Sequence, residues 1–70
     1  MNRKNVSSTN IRSVGYDPES STLEIEFHSG GIYQYLSVPK ATYDELMRAS
    51  SHGSYFHRHI REHYKWVKVR

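Results

Sequence analysis

The hydrophobic rhythm of the chain changes twice. From Thr22 to His28 every second residue is apolar: Leu23, Ile25 and Phe27 alternate with Thr22, Glu24, Glu26 and His28. A period of two sends these sets to opposite faces of a strand, one face buried and the other wet. Asn10 to Tyr16 reads as an earlier strand. Its apolar residues Ile11, Val14 and Tyr16 do not share one parity, which predicts a bulge near Ser13. Asp17-Pro18-Glu19-Ser20 between the two strands is turn chemistry, because proline fixes φ and aspartate bonds forward. Ser29-Gly30-Gly31 supplies a hairpin turn, and Ile32 to Ser37 comes next as a third strand rich in β-formers.

From Pro39 the period lengthens. Proline ends the strand and suits the start of a helix. Tyr43, Leu46, Met47 and Ser50 fall at the i, i+3, i+4, i+7 spacing of a buried stripe, which predicts a helix from Lys40 to Ala49. Ser50-Ser51-His52-Gly53 interrupts it, with Ser51 or Ser54 able to cap a second helix. Tyr55, Phe56, His59, Ile60 and His63 form the stripe of that short helix, roughly Gly53 to Glu62. Tyr64 to Arg70 alternates again, as a short C-terminal strand or an ordered tail. Met1 to Thr9 is polar and reads as a flexible arm, leaving residues 10–70 as the single domain. The expected fold is α+β: a three-stranded antiparallel meander followed by two short helices packed on one face.

Seventy residues with 25 hydrophobic ones make one small core. Such a chain hides only about 60% of the surface it exposes when unfolded, so its stability is slim. There is no cysteine, which excludes disulfides and thiolate metal sites and fits a reducing, cytoplasmic setting. No apolar run approaches the roughly 20 residues of a bilayer-spanning helix, and no membrane partner is expected. Two-domain enzymes and disulfide-stapled modules are excluded by the same arithmetic.

Charge divides the chain. Residues 1–51 hold five lysines and arginines against six acids, a net of −1. Residues 52–70 hold Arg58, Arg61, Lys65, Lys68 and Arg70 against Glu62 alone, a net of +4, together with four histidines. Protonation of those histidines near about pH 6 adds to the imbalance. A basic end of this kind suits an acidic partner, most often nucleic acid, or is a solvated tail.

A family resemblance emerges from Ser8-Thr9-Asn10-Ile11, Val14-Gly15-Tyr16, Leu23-Glu24-Ile25-Glu26-Phe27, Tyr33-Gln34-Tyr35, Val38-Pro39, Tyr43-Asp44-Glu45-Leu46 and Gly53 through Arg61, in that order. The pattern resembles the KTSC domain over about residues 7 to 65. Its central mark is Tyr-x-Tyr, here Tyr33 and Tyr35. His57 departs from it, standing where the family pattern has asparagine. The resemblance implies a small domain found at the C-terminus of some lysyl-tRNA synthetases and as a stand-alone bacterial or phage protein. It implies no established activity; RNA binding is suggested by the synthetase fusion.

Three constellations could carry chemistry. Tyr33 and Tyr35 share a strand face, and the hairpin decides which. A loop of Gly30-Gly31 alone pairs Phe27 with Gln34 and exposes the tyrosines; an odd loop pairs Phe27 with Tyr33 and buries them, because a one-residue slip exchanges the faces. Exposed tyrosines would stack unpaired bases for about 1–3 kcal/mol each. Two costs favour burial: an unpartnered Gln34 at the sheet centre loses about 1–3 kcal/mol, and Glu24 and Glu26 beside a platform repel phosphate. His59-Ile60-Arg61-Glu62-His63 matches H-x-x-E-H, but zinc chemistry needs a third ligand and a cleft, so His59 reads as a packed residue and His63 as its half-buried neighbour. No nucleophile elbow or phosphate-binding glycine loop occurs. Finally, Arg58, Arg61, Lys65, Lys68 and Arg70 are interleaved with Tyr64 and Trp66, the composition of a sequence-tolerant RNA site. The bland alternatives have Trp66 and Tyr64 closing the core and pair Arg61 with Asp44 or Glu45.

The sequence therefore predicts a non-catalytic binding module with no cofactor and no metal. Its expected partner is RNA, tRNA or another structured RNA, contacted by Arg58, Arg61, Lys65, Lys68 and Arg70 and by exposed rings among Tyr33, Tyr35 and Trp66. The rival is a protein–protein docking module without a nucleic-acid role. A phage protein acting on a host factor is a minor third reading. Oligomeric state is left open.

Overall fold

A computed structural model describes residues 1–70. Five strands, β1 (Arg3–Asn5), β2 (Ile11–Asp17), β3 (Thr22–Phe27), β4 (Ile32–Tyr35) and β5 (Trp66–Lys68), form one antiparallel sheet in the order β1-β2-β3-β4-β5. Helices α1 (Lys40–Arg48) and α2 (His52–His59) lie between β4 and β5 in the chain. The expected meander is thus the centre of a wider sheet. The polar segment expected to be a flexible arm carries β1, paired through Arg3 to Gly15 and Asn5 to Ser13. It shows no apolar alternation because its anchor on the sheet is polar. The C-terminal alternation is realised as β5.

One sheet face and the helices enclose the core: Ile11, Val14, Leu23, Ile25 and Tyr35 meet Val38, Leu46, Phe56 and Ile60. A bulge between Ile11 and Ser13 brings both Ile11 and Val14 to that face, as their mismatched parity requires. The β3–β4 hairpin turns through His28-Ser29-Gly30, closed by Gly30 N–H to the Phe27 carbonyl at 2.9 Å and Phe27 N–H to the Gly31 carbonyl at 2.9 Å. Gly30 has φ +105°, which a side chain would resist. This three-residue loop sets Ile25 opposite Tyr33 and Leu23 opposite Tyr35. The parity is that of an odd loop, but Tyr33 stands opposite Ile25 where Phe27 was expected. Both tyrosines project to the core side, and Gln34 faces outward with Glu24.

α2 is shorter than its stripe suggested. Ser51 caps it, its Oγ accepting the Ser54 N–H at 3.2 Å. At the far end Ile60 leaves helical geometry, and the N–H groups of Ile60 and Arg61 both donate to the Phe56 carbonyl at 3.0 Å. The turn places Ile60 in the core and takes His63 off the helix. Consequently H-x-x-E-H does not lie on one helical face. His59 is exposed against the Tyr55 ring, not packed in the core, and His63 is exposed with Nε2 3.0 Å from the Arg58 carbonyl oxygen. No helix is long and apolar enough to cross a membrane.

Candidate nucleic-acid interface

On the helix side of the sheet, α2 and the β3–β4 hairpin stand apart and leave a groove of about 830 Å³ that ends at Trp66. A file of rings runs into it from the core. Tyr35 meets Phe56 at 5.4 Å between centroids, Phe56 meets Phe27 at 5.5 Å, Phe27 meets Tyr33 at 5.6 Å and Tyr33 meets Trp66 at 5.4 Å. All four contacts are edge-to-face, the arrangement ring quadrupoles prefer. The file fixes Trp66 in place although the residue is 53% exposed. Trp66 does not close the core as a buried tryptophan would, because it sits on an edge strand opposite Tyr35, beyond the reach of the helices.

The groove gathers some of the expected site residues and separates others. Tyr33, Tyr35, Arg61 and Trp66 all line it. Tyr35 is buried and forms part of the floor, so its ring offers no free face. Burial, with Tyr33 adding and Arg61 opposing, pushes its hydroxyl up to about 12. Tyr33 is half-buried, and Lys68 Nζ sits 5.9 Å from its ring centroid, within reach of a cation–π contact. Trp66 is therefore the ring with open surface. Arg61 faces the groove with Nη1 3.3 Å from His57 Nδ1. It does not pair with the α1 acids, because Lys40 holds Asp44 at 3.1 Å and the Tyr55 hydroxyl donates to Glu45 at 3.1 Å. Glu62 is the one acid on the rim.

Arg58 borders a neighbouring shallow concavity of about 520 Å³ lined by hydroxyls, among them Ser8, Ser51 and Ser54. His57 borders both depressions. Lys65 and Arg70 flank β5, outside the groove. None of the five C-terminal lysines and arginines forms an ion pair; the salt bridges belong to Arg3 and Lys40.

The opposite sheet face holds a polar cluster that the alternation alone did not reveal. Arg3 forms ion pairs with Glu24 and, at 3.5 Å, with Glu26. Its Nε donates to Ser13 Oγ at 2.9 Å, Ser13 donates to Glu26 at 2.9 Å and Gln34 donates to Glu24 at 2.8 Å. Glu24 and Glu26 are thus held by partners, on the sheet face away from the aromatic groove. Burial raises the Glu24 carboxyl, but the bonds from Gln34 and Arg3 and the arginine charge outweigh it and hold it below the usual range. Gly15 makes the cluster accessible to Arg3: a Cβ there would lie 2.7 Å from the Asn2 carbonyl oxygen and 2.9 Å from Arg3 Cγ. A glycine inside a β-forming run is the sequence signal for such close approach.

Comparison with known proteins agrees with this architecture. The KTSC domain model matches residues 7–64. The crystal structure of a KTSC domain protein from Yersinia pestis superposes with a TM-score of 0.96 at 40% identity, covering 99% of this chain and 97% of that one. An uncharacterised protein of Stutzerimonas stutzeri is 39% identical over 99% of both chains. A lysine–tRNA ligase of Nostoc sp. is 43% identical over 59 residues, which are 84% of this chain and 10% of the ligase. The chain therefore spans about a tenth of the ligase it matches and nearly all of the small protein.

Proposed function

Because this chain belongs to the KTSC domain family, a family of unsettled function, we propose that it is a non-catalytic module that binds unpaired nucleotides of RNA, with tRNA or another structured RNA as the partner class. The observation that carries the reading is the convergence of Trp66, Tyr33 and Arg61 on one groove whose rim holds a single acid. A base stacks on Trp66, which the ring file holds in position without freezing a flexible side chain on binding. Arg61 and Lys68 meet the flanking phosphates, and Arg58 extends the same positive field toward the hydroxyl-lined concavity. The family's occurrence within a protein named for ligating lysine to tRNA supports tRNA as the class.

The test is a fluorescence-anisotropy titration with bulk tRNA and with a short uridine oligonucleotide at several salt concentrations. Trp66→Ala is expected to weaken oligonucleotide binding by about 5- to 160-fold, the equivalent of one missing stack. Neutralising Arg58, Arg61, Lys65 and Lys68 together flattens the salt dependence, by a slope of about 0.7 for each single-strand phosphate that the variant no longer neutralises. Binding that survives the fourfold variant unchanged removes this site from consideration.

A further inference from the structure

Large exposed apolar side chains are few in this domain, and most sit together. Trp66, Val67 and Val69 are 53%, 48% and 52% exposed, and Leu36 on the adjoining β4 extension is 37% exposed. All belong to one sheet border, since β5 is a terminal strand with nothing beyond it. The main chain there is half used. Lys65 offers its carbonyl to Leu36 N–H at 2.8 Å and Val69 donates to the Ile32 carbonyl at 2.7 Å. Antiparallel alternation then leaves the N–H and C=O groups of Trp66 and Lys68 directed away from the sheet. The side chains alternate as well. Trp66 and Lys68 lie on the groove side opposite Tyr35 and Tyr33, and Val67 lies on the open side opposite Gln34.

Exposed edges are commonly blunted by lysine, which repels a second copy of the same edge. Here Lys65, Lys68 and Arg70 flank the exposed apolar residues, all are exposed, none is ion-paired, and no acid lies between them. A second β5 would bring cation to cation. A strand carrying acids would turn the same residues into cross-strand attractions. The β1 edge differs, because Arg3 is engaged by Glu24 and Glu26.

From this we propose that β5 is a docking edge for an extended acidic segment of a partner protein. The segment adds as a sixth strand, with apolar residues at alternate positions covering Val67 and Val69 on the open side and carboxylates at the intervening positions meeting Lys68 on the groove side, while Lys65 and Arg70 at the two ends add positive field. This is strand addition: main-chain bonds supply affinity and the alternating side chains supply selectivity. The site is separate from the nucleotide groove, although Trp66 and Lys68 border both, and it stands if the groove binds no RNA.

The experiment uses the full chain and a labelled peptide of about eight residues alternating valine with aspartate. Saturable binding is expected, with slowed hydrogen exchange at the Trp66 and Lys68 amides. The same peptide N-methylated on alternate residues keeps its charge and composition but cannot form a ladder, and its affinity should fall by about tenfold or more. Val67→Asn with Val69→Asn changes only exposed open-side residues and leaves the charge unaltered, and should weaken the peptide while the uridine oligonucleotide result stays as it was. Absence of peptide binding overturns the proposal. So does equal affinity for the N-methylated peptide, or displacement of both peptides alike by the oligonucleotide, since either outcome means that any polyanion suffices.

Discussion

The two faces of the sheet are held by different physics. The helix-covered face is closed by apolar contact: Ile25, Leu23, Leu46 and Ile60 have no exposed surface. The open face has no covering layer. It is held by Arg3, Ser13, Glu24, Glu26 and Gln34, which satisfy one another, and no buried side-chain polar atom lacks a partner. A short chain can in this way support a five-stranded sheet with helices on one side only. The hydrophobic effect is non-directional and needs volume. A charged hydrogen-bonded row needs geometry instead, and neighbouring strands supply it in a single layer.

The core face is where this difference can be broken most severely. Ile25→Ala leaves a cavity costing about 2–5 kcal/mol, against a total of about 3–5 kcal/mol for a domain this small. The variant should keep little or none of its stability at room temperature, as judged by far-ultraviolet circular dichroism and urea titration. On the open face, Arg3→Ala strands the Glu24 carboxylate with Gln34 as its remaining partner and should cost about 1–3 kcal/mol. Gly15→Ala attacks the same corner, pushing on both the Asn2 carbonyl oxygen and the Arg3 side chain. Combining the two should therefore cost less than the sum of the single effects. Full additivity in the urea midpoints would mean that the Gly15→Ala cost comes from the Asn2 backbone clash and not from displacing Arg3.

Acid separates the faces further. Glu24 has its folded-state pKa depressed, so its contribution is complete above the ordinary glutamate value of 4.5 and is lost as pH falls through the lower folded value. Asp17, lowered by the Ser20 hydroxyl and the Glu19 N–H, acts with the same sign but does not touch Arg3. The difference in acid sensitivity between wild type and Arg3→Ala thus isolates the network: the variant should lose less stability on acidification below pH 4.5. The smallest effect belongs to Tyr35. With its pKa raised to about 12, its stabilising contribution is complete below the ordinary tyrosine value of 10.0 and is lost as pH rises toward about 12. Phenolate absorbance should show one tyrosine ionising last. Tyr35→Phe should erase that step and change stability by no more than about 0.5 kcal/mol, because the ring stays in place.

The elements legible in the sequence are those whose pattern is internal to them. β3, the bulge in β2 and α1 follow from residue spacing alone, and spacing narrows the α2 cap to Ser51 or Ser54, of which the structure uses Ser51. The candidate site was half legible. Arg61, Tyr33 and Trp66 could be named from composition, but their meeting in one groove depends on the three-residue hairpin and on α2 ending at His59. Tyr35 looks like Tyr33 in the sequence, yet it is sealed by Phe56 while Tyr33 stays at the rim. Trp66 carries the strongest apolar signal in its segment and is nevertheless exposed, because apolarity says what a side chain prefers and not whether a layer reaches it.

Sequence by itself determined the parity of β3, the positions where the chain must turn, the α1 stripe and the cationic C-terminal third. Those properties arise from neighbours a few bonds apart, where φ restrictions and side-chain periodicity act. Tertiary structure alone decided that Arg3 lies beside Glu24, that Gln34 has a partner and that β5 is an edge with half its main chain free. Each of these depends on which distant strand lies alongside, and that choice is made by register and packing across the whole sheet.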